Sequence, residues 1–179
     1  MSAPEDATPY EFKSGARVFF STSNDGDNSP LHTRGKIMIE IDALCSDMGE
    51  DKTHKLLSNF GGSITSACQT HKLSFKGSFS PELYNDGIFV YTYEITSPVA
   101  MTPDDFQNKL KEVYTAAIGI YDQTQVAKLQ KKNNERANQL IDSFSDILEA
   151  YPVLGDDRPK IVAALTKAAM EIVSKKRGR

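Results

Sequence analysis

Residues 102–105 read Thr-Pro-Asp-Asp, and they divide the chain into two regimes. A threonine hydroxyl caps the free N–H groups of a first helical turn, proline is tolerated at its start, and two acids suit its positive end. The tetrapeptide therefore opens a helix. Behind it Phe106, Leu110, Val113, Tyr114, Ala117, Ile118 and Tyr121 recur at helical spacing. A second helical pattern holds Ala137, Leu140, Ile141, Phe144, Ile147, Leu148 and Tyr151, and residues 152–159 break it, with a proline at each end. A third runs through Ile161, Val162, Leu165, Ala168, Ala169, Ile172 and Val173.

Ahead of Thr102 the period is two. Residues 17–21, 36–41, 71–79 and 88–95 each read as strand. Phe89, Tyr91, Tyr93 and Ile95 make one face of the last, and Ile88, Val90 and Thr92 the other. In the third, Leu73, Phe75, Gly77 and Phe79 share one parity. Gly77 stands where a large side chain is expected, which points to a bulge or a close backbone approach. Residues 50–60 form one short helix in this half: Glu50 and Asp51 suit its start, Leu56, Leu57 and Phe60 its buried side, and Gly61-Gly62 its end. The class is α+β: a small, mostly antiparallel sheet in the N-terminal half, packed with a helix, followed by a helical C-terminal half. The expected divisions are a flexible polar arm over 1–14, an α+β core domain over 15–122 and a helical region with a basic tail over 123–179. The expected core includes Phe19, Ile37, Ile39, Leu57, Phe75, Val90, Phe106 and Leu110.

Catalytic signatures are missing from the sequence. There is no G-x-S-x-G, phosphate-binding P-loop, G-x-G-x-x-G or H-E-x-x-H. Gly61-Gly62-Ser63 follows a helix, whereas a phosphate cradle precedes one. Cys68 lies three residues before His71, too close along the chain to make a nucleophile–base pair on that ground alone, so it reads as a small core residue. Two cysteines and three histidines at unrelated spacings give neither a disulfide framework nor a zinc site. Asp25 and Asp27 resemble the start of a calcium loop, but the glycine and closing glutamate are absent at the required positions. The aromatic run 89–93 lacks the interleaved cations of a base-stacking platform. No enzyme, cofactor or metal is expected. No apolar run approaches the ~20 residues of a membrane span. The opening MSAPEDATPYEF has no basic segment followed by an apolar block, so no secretory signal is expected there and the expected setting is intracellular.

Charge is divided unevenly. Residues 1–122 carry a net −7 and residues 123–179 a net +4. Lys128, Lys131, Lys132 and Arg136 span barely two turns, with the three lysines at i, i+3 and i+4. Lys175, Lys176, Arg177 and Arg179 end the chain. These eight residues are the expected contact with phosphates or acidic partners, against the plainer reading of a solvated helix face.

The order of segments resembles a known family. A helix with Lys55-Leu56-Leu57 ends in Phe60-Gly61-Gly62; then come Phe75-Lys76-Gly77-Ser78-Phe79, Pro81, the alternating strand Gly87-Ile88-Phe89-Val90-Tyr91-Thr92-Tyr93-Glu94-Ile95, and a long amphipathic helix. Over roughly residues 17–121 this is similar to rhabdovirus matrix proteins, most of all the short ones of plant-infecting members. The resemblance implies a viral structural protein that self-associates, condenses the nucleoprotein–RNA complex and lines the inner, anionic face of the envelope membrane during budding. It implies a location in the virion and at host cytoplasm and membranes. The alternative is a nucleic-acid-binding regulatory adaptor with a helical, basic tail, in which Lys175-Lys176-Arg177 serves import into the host nucleus or contacts phosphates.

Overall fold

The computed structural model describes residues 10–24, 30–84, 87–150 and 157–175. Five antiparallel strands form one sheet: β1 (Tyr10–Glu11), β2 (Arg17–Ser23), β3 (His32–Glu40), β4 (Ser74–Tyr84) and β5 (Ile88–Met101), in the order β1-β2-β3-β5-β4. Helices α1 (Asp42–Met48) and α2 (Glu50–Thr70) lie between β3 and β4 in sequence. Helices α3 (Pro103–Ala150) and α4 (Arg158–Lys175) complete the chain. The fold is α+β, with a sheet-bearing N-terminal half and a helical C-terminal half. Its contacts divide it into two compact units, Met1–Asp122 and Gln123–Arg179, and α3 runs through the division.

Thr102 caps α3 as its sequence requires. Its hydroxyl accepts the Asp105 N–H at 3.2 Å and donates to the Asp105 carboxylate at 2.7 Å, while its carbonyl accepts the Phe106 N–H at 3.0 Å. The helix does not stop near residue 121. The two helical patterns expected there belong to one helix, because residues 122–136 are mostly polar yet contain no glycine or proline. Pro159 belongs to the first turn of α4, not to the break before it; there its missing N–H leaves no helical bond unmade. Residues 151–156, Asp25 and Asp27, residues 85–86, residues 1–9 and Lys176, Arg177 and Arg179 lie outside the described residues.

One face of the sheet and three helices share the core. Val18, Ile37, Ile39, Tyr91, Tyr93 and Ile95 meet Leu44 of α1, Leu57, Phe60 and Ile64 of α2, and Phe106, Leu110 and Val113 of α3. Val90 is fully buried and Phe19 half-buried, but both belong to the opposite face: Phe19 packs on Tyr84 at 5.2 Å between ring centroids, beneath the Arg17 guanidinium at 5.6 Å. That face also carries Met38 and Thr92, 2% and 0% exposed. Thr92 donates to Glu82 at 2.7 Å, and Lys36 pairs with Glu82 at 3.2 Å. The Thr92 hydrogen bond first, and then the Lys36 hydrogen bond and charge, lower the Glu82 carboxyl from its ordinary value against the opposing effect of burial.

Three sequence expectations are corrected, namely the end of the short helix, the free arm over 10–14 and the face of Phe79, while the bulge at Gly77 is one of the two readings the sequence offered. The short helix does not end at Gly61-Gly62; α2 continues to Thr70, because Thr53, Leu57, Phe60, Gly61, Ile64, Ala67 and Cys68 keep one buried face through the glycines. It closes instead at His71, followed by Lys72 at φ 58°. Residues 10–14 are not a free arm: Tyr10–Glu11 pairs with β2, and Phe12 is 5% exposed against Phe60 at 5.0 Å between ring centroids. Gly77 marks a bulge. Phe75 faces Ile95 but Gly77 faces Glu94, so the parity reverses and Phe79 turns to the other face, 54% exposed. The glycine that admits a close approach is Gly35, where an added Cβ would lie 2.7 Å from Leu110 Cδ1.

Gly62 is exposed inside α2, and a Cβ there meets nothing within 4 Å. Gly62→Ala is therefore expected to stabilise the protein by about 0.4–1 kcal/mol through reduced freedom of the unfolded chain. Urea unfolding checks this; a destabilised variant would mean that α2 is not helical at this position in solution.

Candidate partner-contact surface

The distal part of α3 carries the four helical basic residues predicted from the sequence. Lys128, Lys131, Lys132 and Arg136 are all exposed. Lys131 reaches Glu135 at 4.0 Å, with the two side chains 81% and 60% exposed, a separation and exposure at which an ion pair contributes little. Among the described residues, Lys128, Lys132 and Arg136 form no ion pair. At about 100° per residue, Lys131, Lys128, Lys132 and Arg136 follow one another round about 140° of the helix. Lys175 ends α4, and the three remaining basic residues of the tail lie beyond the described segment, so the structure brings together the α3 cluster alone.

An apolar feature that charge alone does not reveal runs along the same stretch. Val126, Leu129, Leu140 and Phe144 are 55%, 60%, 49% and 38% exposed, and Ala137 among them is 1% exposed. With half-buried Asn133 they form a seam spanning about 80° of the helix circumference. Lys128 and Lys131 lie roughly opposite this seam, and Arg136 borders it. The signal is present in the sequence as the steps 126, 129, 133, 137, 140, 144, but the same steps describe an inward-facing stripe equally well as an exposed one.

The other candidates named from the sequence lie in other segments of the chain. Cys68 is 1% exposed, and burial pushes its thiol up to about 12, so the thiolate of a nucleophile is disfavoured there. His71 Nδ1 lies 3.4 Å from Glu112. His32 shares a 2.8 Å hydrogen bond with Thr22, and the His54 ring packs edge-on to Tyr91 at 6.1 Å. Among the described residues, no three His, Cys, Asp or Glu side chains group to hold a metal ion, and no helix is long and apolar enough to cross a membrane. No protein-family model, curated protein or solved structure matches the chain.

Proposed function

We propose that this chain is a non-enzymatic assembly protein of the viral matrix type, which self-associates and links a nucleoprotein–RNA complex to the anionic inner face of an envelope membrane. The observation that carries the reading is the distal half of α3, where a half-exposed apolar seam and exposed basic side chains occupy different sides of one helix. Apolar seams of this spacing bury against other helices. Covering the seam with a second copy leaves Lys128 and Lys131 outward, where phosphates can reach them. RNA binding by such residues releases counterions, and an anionic surface gains roughly 1 kcal/mol per nearby cation. The resemblance of residues 17–121 to rhabdovirus matrix proteins supports the same role.

Sedimentation over a range of protein concentrations tests the assembly half. The mass of the parent is expected to rise with concentration, and Leu129→Gln with Leu140→Gln is expected to hold it at a small fixed value. Lys128, Lys131 and Lys132 changed together to glutamine tests the phosphate-binding half. That variant should bind single-stranded RNA and anionic liposomes more weakly, its logarithmic salt slope for RNA falling by about 0.7 for each phosphate no longer neutralised. A parent of constant mass that still binds RNA is the regulatory adaptor instead. Equal binding by parent and triple variant at low salt removes the α3 cluster from the binding surface.

A further inference from the structure

A chain whose assemblies keep growing with concentration needs two surfaces that fit each other. A self-complementary contact closes at two copies, whereas a heterologous one leaves a free surface at each end and continues. The seam of α3 is one apolar surface, and the N-terminal unit carries another. Leu83 and Phe89 stand directly opposite each other on β4 and β5, 64% and 46% exposed. Cross-strand partners present their side chains on one face. Here it is the face on which Tyr91 and Tyr93, further along β5, meet α2. Exposed Pro81 and half-buried Ile41 line the same cleft as Phe89 and extend the patch. Apolar side chains gathered at such exposure mark interaction surfaces, unlike the single ones scattered over any protein.

The charges at the rims of the two surfaces are opposite. Asp42, Glu50, Asp51 and His54 line the cleft beside Phe89, and among the described residues no lysine or arginine does. Arg136 borders the seam, and Lys132 follows it round the helix. The units carry the same signs as their surfaces, net −7 over residues 1–122 and net +4 over residues 123–179. Two seams face to face would bring like charges together. A seam on a patch brings unlike charges together, which speeds encounter and selects the partner, while the apolar side chains supply the contact. We propose that copies of this chain join head to tail, the α3 seam of one docking on the Leu83–Phe89 patch of the next. The inference rests on the assembly role proposed above and names the second surface which that role requires.

Two full-length variants, each altered on one surface, test the pairing by sedimentation. Leu83→Gln with Phe89→Gln alters the patch, and Leu129→Gln with Leu140→Gln alters the seam. All four positions are exposed, so both variants should unfold in urea as the parent does. Each alone is expected to sediment as a single chain at concentrations where the parent assembles. Mixed in equal amounts, they hold one intact seam and one intact patch between them, and should form a pair of two chains that grows no further. That pair should loosen as ionic strength rises, because its rims are oppositely charged. A patch variant that assembles like the parent assigns seam-to-seam pairing, and a mixture that stays as single chains shows that the two surfaces do not fit. Either result overturns the proposal while the assembly role stands. A parent of constant mass overturns both.

Discussion

Phe60→Ala is expected to cost about 3–5 kcal/mol of folding stability, the largest loss from any single truncation in the N-terminal unit. Phe60 is fully buried, and four rings surround it: Phe12 at 5.0 Å, Tyr121 at 5.7 Å, Tyr93 at 5.8 Å and Tyr114 at 6.2 Å between centroids. Three of the four pairs are edge-to-face, the arrangement that aligns ring edge with ring face and adds to simple burial. The surroundings cannot easily collapse into the vacated space. Tyr93 donates its hydroxyl to the Leu57 carbonyl at 2.7 Å, and Tyr114 donates to the Glu11 carbonyl at 2.9 Å, so both rings are tethered at their far ends. Because Phe12 and Glu11 hang on this cluster, the variant should also release residues 10–15 to proteolysis before the unit as a whole unfolds. Urea denaturation measures the first effect and limited proteolysis the second. A loss below about 1 kcal/mol would mean that the aromatic cluster is not formed in solution.

The second large effect concerns the seat of α3 on the sheet. Leu110→Ala should cost about 2–5 kcal/mol, since Leu110 is fully buried. Gly35→Ala should cost about 1–3 kcal/mol for the opposite reason, overpacking. The new Cβ would lie 2.7 Å from Leu110 Cδ1 and 3.2 Å from the Phe106 ring. A leucine methyl on an exposed side chain would swing aside into water, whereas that of fully buried Leu110 can move only among its packed neighbours. The two changes are coupled: the double variant removes the methyl that the new Cβ strikes, so its loss should be smaller than the sum of the single losses by about 0.5 kcal/mol or more. A double-variant cycle by urea unfolding checks this. Strict additivity would mean that the helix does not cross β3 at Gly35.

Local chemistry alone determined the class of this protein and the start of its longest helix. A hydroxyl, a proline and two acids in succession permit few local conformations other than a helix start, and the Thr102 hydroxyl accepts the Asp105 N–H as expected. The alternation at 88–95 likewise specified two faces, since a strand has a two-residue period whatever packs on it. The basic cluster at 128–136 was legible as neighbours on a helix because that spacing needs only the helix itself. What tertiary structure decided was the meaning of the glycines and of the apolar stripes. Gly61-Gly62 ends a helix by propensity, at roughly 1 kcal/mol per glycine, but a buried face continuing through Ile64, Ala67 and Cys68 outweighs that. Gly77 became a bulge that turned Phe79 outward, and Gly35, unremarked in the sequence, became a point of close approach between α3 and the sheet. The seam from Val126 to Phe144 has the periodicity of a core helix, yet its larger side chains are left half in water. Periodicity states which residues share a face; only the packing of distant segments states whether that face is covered, because burial is a property of the neighbours and not of the residue.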